Sequence, residues 1–175
     1  MAHSGDAPIF LIGYRGTGKT SVARELASHL AYHWVDTDDL VEQMTGKTIA
    51  AIFGDEGEAG FREWEARVVT SVIRKRRTVV ALGGGAVLRE ENRQAICAAG
   101  PVVWLTASVD TILERVAADA TTASRRPNLT VAGGRKEIEN LLAIRTPHYR
   151  QCATLVVDTE GKTSAEVAEE IAAKL

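Results

Sequence analysis

The sequence predicts a doubly wound α/β domain built on five parallel strands. Three observations support this. Apolar, β-branched runs with little alternation recur along the chain, as expected of strands buried on both faces of a parallel sheet. Stretches with helical apolar spacing lie between them, so strand and helix alternate. The 175 residues suit one domain with a sizeable core.

The strand runs are Ile9–Ile12, Tyr32–Val35, Thr78–Leu82, Val102–Leu105 and Leu155–Val157. The first helix is expected from Thr20 to Leu30, with Val22, Ala23, Leu26 and Leu30 on one face. Glu58 to Arg74 carries Phe61, Trp64, Val68 and Val72. Ser108 is an N-cap candidate for a helix with Val109, Ile112, Leu113 and Val116 as its stripe. Arg135 to Arg145 and Ser164 to Leu175 complete the set. Residues 1–7 read as a loose tail before a single domain over 8–175. A loop at about 117–134, rich in Ala, Thr, Ser, Arg and Gly, is too long to be a simple connection. Such a loop is functional or disordered, and in an enzyme that must exclude water the functional version is a lid.

Composition narrows the function classes. Charged residues make up 25%, hydrophobic ones 45%, and the net charge is −2. Nothing global points to nucleic acid or a membrane surface. No apolar run approaches the roughly 20 residues of a membrane span. Met1 to Ala7 lacks the apolar stretch of a signal peptide, which argues for the cytoplasm. Cys97 and Cys152 have no metal or redox spacing and read as buried, reduced thiols. The histidines have no metal spacing, and Trp34, Trp64 and Trp104 read as core.

Gly13-Tyr14-Arg15-Gly16-Thr17-Gly18-Lys19-Thr20 matches the phosphate-loop pattern G-x-x-x-x-G-K-[ST], in its required place between a strand and a helix. The glycines let successive backbone N–H groups turn toward phosphate oxygens. The helix that follows Lys19, opening with Thr20 and Ser21, directs its positive end at the same anion. Lys19 supplies a charge to the β- and γ-phosphates, and the Thr20 hydroxyl can ligate magnesium. Arg15 can reach a phosphate or stay solvated. The motif identifies a bound nucleoside triphosphate and leaves kinase, hydrolase and switch open.

The acceptor candidates lie at the carboxyl ends of strands, where open α/β sheets bind ligands. Asp36 and Asp38 follow the second strand. One carboxylate can hold magnesium through water, and the other can orient or deprotonate an acceptor hydroxyl. A helix cap is the rival role for Asp38 or Asp39. Gly83-Gly84-Gly85 follows the third strand and allows a ligand close to bare backbone; a plain turn is the alternative. Arg126, in the lid candidate, can offset charge on a transferring phosphoryl group. Arg62 also suits a surface salt bridge, and Arg145 a helix end before Pro147.

Assembled, these residues resemble the shikimate kinase family. The resemblance rests on the phosphate loop, on Asp36-Thr37-Asp38-Asp39-Leu40, on Thr45-Gly46-Lys47-Thr48-Ile49, and on Phe61-Arg62. Gly83-Gly84-Gly85-Ala86-Val87, Arg126-Pro127, Arg145-Thr146-Pro147 and Val157-Asp158-Thr159 extend it. It covers nearly all of residues 9–175.

The resemblance implies a nucleoside monophosphate kinase-like three-layer fold with a mobile lid and a substrate-binding region at about 36–65. It implies phosphorylation of the shikimate 3-hydroxyl by ATP with Mg2+, on the way to chorismate and aromatic amino acids, by a monomer without nucleic-acid or membrane partners. Asp38 would hold the shikimate hydroxyls and act as base. Arg62 and Arg145 would grip its carboxylate beside the Gly83–Gly85 backbone. Asp36 would order the magnesium water shell, and Arg126 would reach the phosphates. Arg115 and Lys162 would flank the adenine. A gluconate-type sugar-acid kinase and a non-catalytic nucleotide-binding regulator are the alternatives.

Overall fold

A computed structural model describes residues 5–119 and 134–175. Its sheet has five parallel strands, β1 (Ile9–Ile12), β2 (His33–Asp36), β3 (Thr78–Ala81), β4 (Val102–Thr106) and β5 (Leu155–Asp158), in the order β2-β3-β1-β4-β5. The reversal of strand order falls at β1, between β3 and β4, so the switch point lies where β1 runs into the glycine-rich loop.

Side chains alternate across a strand, and both faces of this sheet are covered. Phe10, Ile12, Val80 and Leu82 face a layer made by α3 (Ile49–Val72), α4 (Glu90–Ala99) and α6 (Gly134–Cys152), through Val68, Ile96 and Tyr149. Ile9, Leu11, Val79 and Leu105 face α1 (Lys19–Leu30) and α7 (Ser164–Lys174), through Val22, Leu26 and Ile171. Each such apolar side chain, fully buried, contributes about 1.5–3 kcal/mol before chain entropy is counted. A third cluster, Tyr14, Ile112 and Ile138, ties the glycine-rich loop to α5 (Val109–Ala118) and α6.

The strands and the first, fifth and last helices follow the sequence expectation within one or two residues. Ser108 caps α5, accepting from Thr111 N–H at 3.2 Å. Other details differ. The chain forms α2 (Thr37–Thr45) directly after β2, and its cap is Asp36, not Asp38 or Asp39. A further helical stretch from Ile49 precedes the helix expected from Glu58; the two meet at Gly57, whose backbone (φ 71°, ψ −176°) is not helical, so the second starts at Glu58 as expected. Helix α6 continues through Pro147 to Cys152, because the loss of one N–H is outweighed by tertiary anchoring of Tyr149. Cys97 is exposed rather than buried.

Asp6, expected in a loose tail, accepts a hydrogen bond from Arg77 N–H at 2.8 Å and pairs with Arg76 at 2.6 Å. The expected lid narrows at both ends, since Ala117 and Ala118 belong to α5 and Gly134 opens α6. Residues 120–133 and Arg126 lie outside the described residues. Among the described residues, no helix is long and apolar enough to cross a membrane.

Candidate active site

The glycine-rich loop joins β1 to α1 and lines a cleft of about 460 Å³. Gly13 has φ 142°, and a Cβ there would lie 2.5 Å from the Leu105 carbonyl oxygen, so only glycine fits. Gly18 caps α1 with no side-chain hydrogen bond, so the first-turn N–H groups open toward the cleft as an anion site. Lys19 is nearly buried, and its Nζ donates to Gly13 O at 2.8 Å and Tyr14 O at 2.9 Å. The lysine thus braces the loop that it serves. Thr17 Oγ1 donates to Tyr14 O at 2.7 Å.

Asp36 connects this loop to the next helix. Its Oδ2 accepts from Thr20 Oγ1 at 2.6 Å, and its Oδ1 accepts from Asp38 N–H at 2.9 Å. At the far end of the cleft Arg115 donates to Gly16 O at 3.3 Å, Thr159 Oγ1 at 2.9 Å and Thr159 O at 3.0 Å. Lys162 lines the same end, with its ammonium on Asp158 O at 2.9 Å and Glu170 at 2.7 Å.

A smaller cavity adjoins the first, beneath Gly83–Gly85. All three glycines are buried, and a Cβ at any of them would press on the groups around it. At Gly83 it would lie 2.8 Å from Glu65 Oε1 and 2.9 Å from Asp38 Oδ1. At Gly84 it would lie 3.2 Å from Arg145 Nη1, and at Gly85 2.5 Å from both Arg62 terminal nitrogens. The triple glycine is therefore a bare backbone platform with two carboxylates and two guanidiniums against it. Thr37 Oγ1 accepts from Gly83 N–H at 2.9 Å, and Tyr149 O–H donates to Gly84 O at 2.5 Å.

Arg62 pairs with Glu65 at 2.8 Å and Glu58 at 3.1 Å. Burial pushes the Glu65 carboxyl above its usual range, and the Arg62 guanidinium opposes the shift. Arg145 lies inside α6, not at a helix end, so the helix-dipole reading of it does not apply. It is 5% exposed, its guanidinium lies 5.5 Å from the Tyr14 ring centre, and its buried Nε–H has no hydrogen-bond partner among the described residues. Arg145 lines the smaller cavity, and an arginine there suits an anionic ligand.

Of the residues singled out in the sequence, Arg15 through Ser21, Asp36, Arg115 and Lys162 line the larger cleft. Arg62, Gly83, Gly84, Gly85 and Arg145 line the smaller, and Arg15 and Asp38 line both. Gly13 lies just behind the cleft, under Leu105. Glu65 and Tyr149 were not anticipated. The signal for Glu65 was its position three after Arg62, on the Phe61–Val68 face of the helix. Tyr149, with Arg150, belongs to the segment after Pro147 that carries the family resemblance, but the sequence assigns it no role.

Burial raises the Tyr149 hydroxyl to about 12. The folded state therefore holds its proton after the unfolded chain has lost it. Its contribution is complete below pH 10 and is lost as pH rises from about 10 through about 12, by about 3 kcal/mol. Tyr149→Phe is expected to cost about 1 kcal/mol at neutral pH and to flatten that alkaline loss. Urea unfolding at pH 8, 10 and 11 checks this; parallel curves for both proteins would refute it.

The shikimate kinase family model matches residues 15–175. A shikimate kinase from Rhodopirellula baltica is 44% identical over 163 residues, covering 93% of this chain and 87% of the relative. A structure of shikimate kinase from Acinetobacter baumannii in complex with shikimate superposes with a TM-score of 0.89 at 36% identity, covering 95% of this chain and 90% of that one. A gluconokinase structure from Sinorhizobium meliloti, at 19% identity and a TM-score of 0.61 over 95% of this chain and 90% of that one, shares the fold. The chain belongs to the shikimate kinase family.

Proposed function

We propose that this chain transfers the γ-phosphoryl group of ATP to the 3-hydroxyl of shikimate, giving shikimate 3-phosphate and ADP. The observation that carries the reading is a half-buried and a buried guanidinium, Arg62 and Arg145, set against the bare Gly83–Gly85 backbone beside a phosphate loop. A carboxylate suits the planar fork of arginine, and neighbouring hydroxyls suit the acceptor oxygens of Asp38.

In this reading ATP lies in the larger cleft, with its phosphates on the N-terminal turn of α1 and Lys19. Arg115 and Lys162 flank its base. Asp38 accepts the proton of the 3-hydroxyl, whose oxygen forms a bond to the γ-phosphorus. The bond from that phosphorus to the β,γ-bridging oxygen breaks, and its electron pair leaves with ADP. Positioning and electrostatics supply the catalysis. Arg126 is proposed as a further cation for the phosphates.

The oxygens of Thr20 and Asp36, 2.6 Å apart beside the cradle, suit a hard cation such as Mg2+ that keeps several waters. Bound there, the ion would neutralise charge on the β- and γ-phosphate oxygens. We further propose a cytoplasmic monomer organised as a single domain over residues 8–175.

ADP release coupled to NADH oxidation, run with shikimate and a panel of hydroxy acids including gluconate, tests the substrate. Shikimate-dependent turnover is expected, and turnover of gluconate without shikimate would overturn the reading. A Cβ at Gly85 displaces Arg62, so Gly85→Ala is expected to raise the shikimate KM about tenfold, or about 1.4 kcal/mol, and to leave the ATP KM unchanged. An unaltered shikimate KM would count against Arg62 as a carboxylate ligand.

A further inference from the structure

We propose that Arg15 acts on the transferring phosphoryl group and that Glu137 is the residue that positions it, a proposal that rests on the phosphoryl-transfer reading above. Three residues line both cavities: Arg15, Asp38 and Ile49. The phosphoryl group must cross the junction that they form. Asp38 is the acidic side chain there, Ile49 the apolar one, and Arg15 brings the positive charge.

The side chain of Arg15 is held from behind. Its Nη2 donates to Glu137 Oε1 at 3.3 Å, and Glu137 is wholly buried in the first turn of α6. A buried carboxylate is costly unless a cation and hydrogen bonds compensate it, so the contact constrains where the guanidinium can lie. The neighbouring residues reinforce the constraint. Tyr14 packs on Ile138, the residue after Glu137, and on Ile112. The Arg15 backbone N lies 3.7 Å from where a Gly84 Cβ would be. Helix α6 therefore grips two successive loop residues.

The contact to Glu137 engages one edge of the fork. The Nε–H is buried and has no hydrogen-bond partner among the described residues. A guanidinium with five donors can serve a carboxylate and a phosphoryl group at once. During transfer Arg15 keeps its proton. It donates N–H to the non-bridging oxygens as the phosphorus leaves the β,γ-bridging oxygen for the 3-hydroxyl oxygen, whose proton passes to Asp38. No bond to Arg15 forms or breaks. A purely structural role, in which Arg15 only neutralises Glu137, predicts a loss of stability without a specific loss of kcat.

Steady-state kinetics and thermal melts of wild type, Arg15→Met, Glu137→Gln and the double variant separate the two. Shikimate-dependent ADP release by the wild type comes first, and its absence would defeat the substrate reading itself. Given that turnover, Arg15→Met is expected to lower kcat about 100-fold while both KM values stay within about threefold. Glu137→Gln leaves the arginine charged but unaimed, and is expected to lower kcat about tenfold. The double variant is expected to match Arg15→Met, because positioning has no value once the guanidinium is gone. A folded Arg15→Met with kcat within threefold of wild type would overturn the proposal, as would losses that multiply in the double variant. If Arg15→Met gives no cooperative melt, Arg15→Lys carries the test: it keeps the charge opposite Glu137 and removes the fork. A kcat about tenfold lower at unchanged KM supports the proposal, and wild-type kcat overturns it.

Discussion

Lys19→Met is expected to lower turnover by about 1,000-fold or more, because it removes the proposed point charge from the β- and γ-phosphates while keeping the aliphatic stem. The structure adds a second consequence. Lys19 Nζ bridges the Gly13 and Tyr14 carbonyls, so the loop loses two donors along with the charge. At about 1 kcal/mol per net hydrogen bond, partly offset by relief of a buried ammonium, the melting temperature should fall by about 3–6 °C. Single-turnover ADP release and a thermal melt read the two effects separately. A turnover near wild type would refute the catalytic role. A lost rate with an unchanged melt would refute the brace.

The same residue illustrates what a sequence makes legible. The phosphate loop is local: eight consecutive residues carry the motif, and the strand and helix that frame it adjoin it in the chain. The strands were legible because their apolar runs are buried on both faces. Their order was not, because periodicity says nothing about which strand lies beside which. Helix α2 was legible only as a cap candidate at Asp38 or Asp39, because its first turn, Thr37-Asp38-Asp39, is polar. Helix α4 buries little beyond Asn92 and Ile96, so it carries no clear stripe. Pro147 suggested a helix end at Arg145, yet the Tyr149 hydroxyl on Gly84 anchors the chain beyond it.

The acceptor side shows the same divide. Asp36 and Asp38 were legible from their place at a strand end, and Gly83–Gly85 from the run itself. The reason for the glycines was not legible, since it lies in side chains from α2, α3 and α6 that converge on them. Glu65 and Glu137 are charged residues in helical patterns, which composition assigns to a solvated face. Their burial comes from contacts with Arg62 and Arg15, and the second of these spans 122 residues of sequence.

Asp38→Asn is expected to lower kcat by about 1,000-fold, within the range for loss of a general base, while ATP affinity stays unchanged. Asn keeps the shape and one acceptor oxygen but cannot take the hydroxyl proton. The substitution suits the local structure. Asp38 is 5% exposed in the first turn of α2, and the contact that fixes this turn, its own N–H on Asp36 Oδ1 at 2.9 Å, belongs to the backbone. The helix start should therefore survive, although the turn loses a negative charge that its dipole favours, by about 0.5 kcal/mol. Shikimate binding is expected to weaken by no more than about tenfold, since Arg62 and Arg145 are the residues proposed to hold the carboxylate end. Calorimetric titration with each substrate, set beside steady-state kcat, distinguishes the roles. A kcat within tenfold of wild type would remove Asp38 as the base. A shikimate affinity loss as large as the kcat loss would make it a binding residue first.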